Sequence, residues 1–398
     1  MMIVRVLAAA AKPALVTGAI AASAAGGWFV YSNVTGDAPT AFERLQSAGQ
    51  RLLISEFGTH ADTIVAIDPA DVSGSRDVIA TIDHAPEYGI VAALSPDAEA
   101  IAYTGLPVDA PRPAPDSPAI AGIVEADGDV VVLANDVDLV VQPVWSPDSE
   151  AIVVRKNTRC EDAGLACEEY PAGAFELILL GRDGSRSTIT SWRSAAAFPI
   201  GFSADGGTFY FATLNATGTD LYRVGRDGND ETLVAHLSDQ VARDWRISPD
   251  GTMLAYSAAE SGATPMIVAR VVDLATGAMS DAFAADALEA GPPSTGVARG
   301  EFNPAWAPNG ELTVASMNLD GGAGAVTLSA DGLAQETENA EGIDLPLGWS
   351  PDGGTLAVRA VEGETPFEAG ASHVELVREG SRERVSDSSD VTIVGWSE

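Results

Sequence analysis

The phrase Trp145-Ser146-Pro147-Asp148 recurs along the chain, and its recurrence decides the fold. Five similar copies and one truncated copy are present: Leu94-Ser95-Pro96-Asp97, Phe202-Ser203-Ala204-Asp205, Ile247-Ser248-Pro249-Asp250, Trp306-Ala307-Pro308-Asn309, Trp349-Ser350-Pro351-Asp352 and Trp396-Ser397-Glu398. Their first residues are 43 to 59 positions apart. This spacing is typical of the repeats that form the blades of a β-propeller.

Each copy precedes alternating apolar residues such as Thr355–Arg359, which predict a strand. A second apolar run then leads into an Asp-Gly turn, as at Arg182-Asp183-Gly184 and Arg226-Asp227-Gly228. Asp-Gly between apolar runs is a strong hairpin signal, because Gly readily adopts positive φ. The repeat therefore predicts four antiparallel strands per blade.

The ends of the repeat region predict how the ring closes. Before Leu94 lie three strand-like segments, Arg51–Phe57, Asp62–Ile67 and Asp77–Ile82, and the chain ends with a lone first strand, Val391–Trp396. Joining them completes one blade and removes exposed strand edges. We therefore predict an all-β, seven-bladed propeller closed by pairing of the C-terminal strand with the N-terminal strands. Irregular insertions leave six or eight blades as alternatives.

The recurring Trp/Phe-Ser-Pro-Asp-Gly turn before a strand resembles the TolB-like family of WD-repeat-like propellers. The resemblance covers about residues 50–398 and implies a propeller associated with the cell envelope. The domain that precedes the propeller in TolB has no counterpart in this sequence, so the specific role of TolB is not carried across.

The N-terminal sequence predicts one transmembrane helix. Arg5 and Lys12 precede an uncharged stretch, residues 13–36, whose C-terminal part contains Trp28-Phe29-Val30-Tyr31. About 20 apolar residues are needed to cross a bilayer, and aromatic side chains favour its boundaries. We predict a cytoplasmic tail at 1–12, a signal-anchor at 13–36, a linker at 37–49 and the propeller at 50–398. The predicted location is a single-pass cell-membrane protein with its propeller outside the cytoplasm; a signal peptide cleaved near Ala22-Ser23-Ala24 is the alternative.

Composition restricts the partners. The formal net charge of −35 repels phosphate backbones, so nucleic-acid binding is not expected. Cys160 and Cys167 are the only cysteines, and outside the cell a disulfide between them would persist. Two thiols are too few for a structural zinc site, and no cofactor motif is present.

Strand order divides the loops between two faces of the propeller. The Ser-Pro-Asp and Asp-Gly turns all belong to one face, which we call the short-turn face. The longer connections belong to the other, the long-loop face: Gly105–Ser117, Asn157–Gly173, Ala285–Phe302 and Ala360–Ala371. Short turns on one side and long loops on the other suggest that the long-loop face binds partners.

Candidate binding residues lie in or beside the long loops. Arg112, Arg155 and Arg159 are predicted contacts on an otherwise acidic surface, and His60, His84 and His373 lie in neighbouring parts of the closed ring where they could converge. Converging imidazoles can hold a transition metal, but ordinary loop histidines are the favoured interpretation. We assign no catalytic residue and no metal ligand. The repeated aromatics are expected to pack between blades, and the repeated Asp residues to fix turns.

The sequence favours a binding or scaffolding module that engages a protein or glycan through its long-loop face. Whether it is an enzyme is left open, and a non-enzymatic role is favoured because no catalytic motif is present. The alternative is an extracytoplasmic metal-assisted lyase or hydrolase acting on saccharides.

Overall fold

A computed structural model describes residues 40–397 except 75, 111–112, 115–116, 166–172, 194, 261–265, 283–298, 319–322, 329–333, 337–341, 363–370, 379–380, 387 and 389. These residues form one short helix, α1 (Ala41–Ser47), followed by 28 strands. The first three strands are β1 (Arg51–Glu56), β2 (Ala61–Ile67) and β3 (Asp77–Asp83).

Six blades follow, each made of four consecutive strands. Blade 1 contains β4 (Val91–Leu94), β5 (Ile101–Gly105), β6 (Ala119–Val124) and β7 (Val130–Val137). Blade 2 contains β8 (Val144–Trp145), β9 (Ala151–Thr158), β10 (Ala174–Gly181) and β11 (Arg186–Trp192). Blade 3 contains β12 (Ala196–Phe202), β13 (Thr208–Asn215), β14 (Gly218–Gly225) and β15 (Thr232–Ser238).

The remaining blades have the same order of strands. Blade 4 contains β16 (Ala242–Ile247), β17 (Met253–Glu260), β18 (Met266–Asp273) and β19 (Met279–Asp281). Blade 5 contains β20 (Arg299–Trp306), β21 (Leu312–Asn318), β22 (Ala323–Leu328) and β23 (Ala334–Glu336). Blade 6 contains β24 (Gly342–Trp349), β25 (Leu356–Glu362), β26 (Ser372–Arg378) and β27 (Ser381–Arg384).

The last strand, β28 (Val391–Ser397), joins the two ends of the repeat region. It pairs antiparallel with β1, with Leu52 opposite Trp396 and Glu56 opposite Val391. The resulting order, β28-β1-β2-β3, forms what we call the closing sheet. The predicted pairing of the C-terminal strand with the first strand-like segment is confirmed.

The predicted count of seven blades is contradicted, since the propeller has six blades. Six blades are built from consecutive strands, and the chain ends supply the closing sheet. Moreover, blades 4, 5 and 6 are not separate, because parallel bridges between Ile267 and Gly300 and between Ala323 and Ile343 merge them into one 12-stranded sheet. Repeat counting could not detect this merging, which depends on how closely strands of neighbouring blades approach.

The predicted transmembrane helix and single-pass membrane location are contradicted as well. No helix in the described part of the chain is long and apolar enough to cross a membrane; the helix found there, α1, has seven residues. The segment proposed as the anchor, residues 13–36, lies outside the described residues.

Apolar contacts hold the closing sheet on both sides. Towards blade 1, Leu53, Ile64 and Val394 share a buried cluster with Ile101 and Tyr103. Towards blade 6, the cluster contains Leu52, Ile54, Ala357, Val374 and Leu376. The closing sheet is therefore part of the continuous packing of the ring.

Glycines just before two of the repeated phrases, Gly395 and Gly201, permit close packing against the neighbouring blade. A Cβ atom added at Gly395 would lie 2.8 Å from the Cβ of Leu94 in blade 1. One added at Gly201 would lie 2.8 Å from Cδ1 of Ile247 in blade 4. The Leu94 Cβ is fixed to its backbone, so an added methyl group at Gly395 would require the two sheets to move apart, whereas the end of the Ile247 side chain could rotate away.

We expect Gly395→Ala to lower the free energy of unfolding by about 1–3 kcal/mol, because the added methyl group would force the closing sheet away from blade 1. Chemical denaturation measures the effect. Gly207→Ala is the matched control, since its nearest neighbour would lie at 3.5 Å, an ordinary contact distance. Equal stabilities of the two variants would contradict the packing assigned to Gly395.

Candidate functional site

The short-turn face is built from repeated, tightly bonded turns. In blade 6, Ser350 Oγ donates to Asp352 Oδ1 at 2.6 Å, and the same oxygen accepts from the Gly354 backbone N–H at 2.9 Å. These hydrogen bonds stabilise the carboxylate and lower the pKa of Asp352. Equivalent Ser–Asp pairs occur at Ser95, Ser146, Ser203 and Ser248. The prediction that these Asp residues fix turns is confirmed.

The repeated aromatics link neighbouring blades through their indole nitrogens. Trp145 Nε1 donates to the carbonyl oxygen of Ala93 in blade 1, and Trp306 Nε1 donates to that of Arg246 in blade 4, both at 2.9 Å. Trp349 Nε1 donates to Thr313 Oγ1 in blade 5 at 3.0 Å. The expected packing between blades is confirmed.

A cavity of about 710 Å³ opens at the short-turn face where the closing sheet meets blades 1 and 2. Its walls come from the innermost strands and their turns, and include Leu94, Val144, Trp145, Trp396 and Pro351. Asp97, Gln142 and Gln46 add polar groups to this lining. A mainly apolar cleft with a few polar groups is the usual form of a ligand site. We call this cavity the channel mouth.

Helix α1 supplies one edge of the channel mouth. Thr40 caps the helix in a reciprocal arrangement with Glu43, and Phe42 and Leu45 are buried in the cluster between the closing sheet and blade 1. This anchoring directs Gln46 towards blade 1, where its Nε2 donates to Glu99 Oε1 at 3.1 Å. The helix lies within the segment that sequence reasoning assigned to a linker.

His84 lies in a buried polar cluster between the closing sheet and blade 1. Its side chain is fully buried; Nε2 lies 2.9 Å from Asp62 Oδ1, and Nδ1 lies 2.8 Å from the carbonyl oxygen of Ala85. Both partners are acceptors, an arrangement that favours protonation of both ring nitrogens and thus the cationic ring. Burial alone would lower the pKa of His84, but the hydrogen bonds to Asp62 and Ala85 raise it above its usual value.

The side chains of the three predicted histidines form no common group in the described structure. His60 is exposed, and its carbonyl oxygen accepts from the His84 backbone N–H at 2.9 Å. Nε2 of His373 instead lies 2.7 Å from Glu375 Oε1 within blade 6. The described residues contain no group of three His, Cys, Asp or Glu side chains placed to hold a metal ion. His84 in its cationic form has no lone pair for a metal.

The predicted arginines have different environments. Arg155 is 6% exposed, donates from Nε to Asp138 Oδ2 at 2.8 Å, and lies over the rings of Phe175 and Phe198. It therefore connects blade 2 to both neighbouring blades, and partner contact by this residue stays a prediction. Arg159 is exposed in the loop before Cys160, whereas Arg112 lies outside the described residues.

Cys160 is disulfide-bonded. Cys167 lies outside the described residues, so the predicted pairing of these two cysteines stays a prediction.

Sequence reasoning missed Asp62 and the glutamines of the channel mouth. Asp62 is 3% exposed and accepts from the backbone N–H groups of Gly58 and Ile90 as well as from His84. A signal was present, because Asp62 is a charged residue at the start of an apolar strand. Gln46 and Gln142 offered no comparable signal, since single exposed glutamines are common.

Comparison with solved structures supports the propeller fold. No protein-family model and no curated protein sequence matches the chain. TolB from Acinetobacter baumannii is similar with a TM-score of 0.47 and 16% identity, over 73% of this chain and 63% of that one. A structure from a study of two prolyl endopeptidases has a TM-score of 0.56 and 13% identity, over 86% of this chain and 50% of that one.

An oligogalacturonate lyase in complex with manganese has a TM-score of 0.51 and 12% identity, over 85% of both chains. The structural argument for a propeller rests on the endopeptidase and the lyase, because their TM-scores exceed 0.5. At these identities the likeness shows the fold alone. This chain also spans less than two thirds of the TolB and endopeptidase chains, so the activities of those proteins are not carried across.

We expect Asp62→Asn to lower the free energy of unfolding by about 3 kcal/mol near pH 6, because it removes the partner of a buried cation. The His84 pair should stabilise the protein fully below about pH 6.5, the usual pKa of unfolded His. Because the folded-state pKa is raised, that contribution should be lost as the pH rises through the folded-state value.

Denaturation of the wild type and Asp62→Asn over a series of pH values measures both effects. Asp220→Asn is the control, because it removes a carboxylate from His236, whose side chain is 44% exposed. An exposed pair of this kind contributes about 1 kcal/mol or less. A wild type and Asp62→Asn variant with the same pH dependence would contradict the charge state assigned to His84.

Proposed function

We propose that this propeller is a binding module that holds a segment of a protein or glycan at the channel mouth. The observation that carries the proposal is the cavity of about 710 Å³, a size typical of sites for small ligands or single side chains. Its lining combines apolar surface from Leu94, Val144 and Trp396 with the polar groups of Gln142 and Asp97.

The proposed site differs from the long-loop face favoured by sequence reasoning. Each of the four long loops includes residues outside the described part of the chain, so no described surface tests that face as a whole. The named lining residues of the channel mouth all lie in the described part of the chain, on elements whose positions are fixed by buried clusters. A binding site on such elements needs little ordering when the ligand arrives.

The enzymatic alternative has no specific observation in its favour. Its expected histidine group does not form among the described residues, since His84 is bonded through both ring nitrogens and His373 has its partner in blade 6. The fold likeness to a manganese-bound lyase does not identify ligands in this chain. We therefore propose binding alone.

The test is capture of partners by the full chain, followed by direct binding of the captured partner to two variants. Gln142→Arg places a long charged side chain at the channel mouth and should lower affinity by about tenfold or more, which corresponds to about 1.4 kcal/mol. Asn135→Arg adds the same side chain on the outer strand of blade 1 and should leave affinity unchanged. Equal affinities for both variants would contradict the channel mouth as the binding site.

A further inference from the structure

Arg246 differs from the residues at the equivalent position of the other repeats. This is the position just before the repeated phrase, occupied elsewhere by Ala93, Val144, Gly201, Ala305, Gly348 and Gly395. All of these are small apolar residues, and three of them, Ala93, Val144 and Gly395, line the channel mouth. Blade 4 alone presents a long charged side chain at this level of the ring.

The placement of Arg246 follows from its strand. It lies in β16, the innermost strand of blade 4, and its carbonyl oxygen accepts from Trp306 Nε1 of blade 5. The innermost strands of successive blades contact one another and enclose a central channel, including β16 with β20 and β28 with β4. The side chain of Arg246 is solvent-exposed, and its position in the repeat corresponds to that of Ala93, Val144 and Gly395, which line the channel mouth.

The guanidinium of Arg246 is only partly satisfied by the protein. Its Nη1 donates to the carbonyl oxygen of Trp245 at 2.9 Å, and among the described residues no carboxylate forms an ion pair with it. Protein atoms around the exposed side chain lower the pKa of Arg246 by partial desolvation, an effect that the nearby charge of Asp244 only partly offsets. The remaining N–H donors of this guanidinium can bind an anion from solution.

We propose that Arg246 binds a carboxylate of the ligand held in the channel, an inference that rests on the proposed function. A guanidinium presents two parallel N–H donors that match a carboxylate. A phosphate dianion has the same donor requirement, but the nearby charge of Asp244 penalises two negative charges more than one. At physiological ionic strength charges farther than about 8 Å are largely screened, so distant acidic residues do not prevent binding.

Arg243, which is exposed, lies at the other end of the same bulged strand and also supports carboxylate binding by Arg246. Its guanidinium lies over the ring of Phe302 and 3.4 Å from Asp244 Oδ2, which leaves Asp244 partly neutralised. Asp244 is thereby less able to repel a second carboxylate beside Arg246.

The test uses the full chain and probes of defined charge: acetate, a short peptide with a free C-terminal carboxylate, the same peptide amidated, and inorganic phosphate. Calorimetry or the shift in melting temperature measures binding. We expect the carboxylate probes to bind the wild type, Arg246→Gln to lose at least tenfold in affinity, and Arg246→Lys to fall between them. Arg193→Gln, an exposed arginine outside the channel, should bind like the wild type.

Binding by acetate and by the free-acid peptide alike would indicate a site for any monocarboxylate, and binding by the peptide alone would indicate a chain terminus as the source. Phosphate binding that exceeds carboxylate binding would overturn the assigned ligand class, as would equal binding by wild type and Arg246→Gln. Failure of this inference is distinguishable from failure of the proposed function. A partner that is lost on Gln142→Arg but retained on Arg246→Gln would reject the carboxylate site and leave the channel-mouth proposal intact.

Discussion

Pairing between β28 and β1 is the constraint on which the rest of the structure depends. It places a strand from the last repeat beside the first strand of the chain, with Leu52 opposite Trp396. Buried clusters on both sides then connect the closing sheet to blade 1 and blade 6. The same pairing puts Gly395 and Trp396 into the wall of the channel mouth. Without it, neither the ring nor the cavity would be complete.

Contacts between blades repeat the same chemistry with local exceptions. Each indole-to-backbone or indole-to-hydroxyl hydrogen bond contributes about 1 kcal/mol net to the stability of the fold. These bonds also fix the angle between neighbouring blades. Trp396 is an exception, since its buried Nε1 has no hydrogen-bond partner among the described residues although Gly348 is close to it. Arg246 is another, because it replaces a small residue with a cation. Both exceptions lie near the channel, where function is expected to relax the repeat pattern.

Features carried by local sequence were predictable, and features that depend on contacts between repeats were not. The Ser-Pro-Asp turns and the pairing of Val391–Trp396 with Arg51–Phe57 followed from the repeated phrase and the leftover strands. The bonding of His84 to Asp62 depends on a loop and a strand meeting between sheets, which no spacing reveals. Arg155 looked like a surface contact because it lies beside a long loop, yet Asp138 and two phenylalanines enclose it. The merging of blades 4 to 6 likewise depends on how closely strands of neighbouring blades approach one another.

Hydrogen exchange tests the closure most directly. With the full chain, backbone amides of Arg51–Glu56 should exchange slowly, because this strand directs its N–H groups alternately to β28 and β2. In Val391–Ser397, the amides that bond to β1 should exchange slowly as well. Removing residues 391–398 should make about half of the amides in Arg51–Glu56 exchange rapidly while those bonded to β2 stay slower. Unchanged protection of Arg51–Glu56 after the removal would contradict the closing sheet and the account built on it.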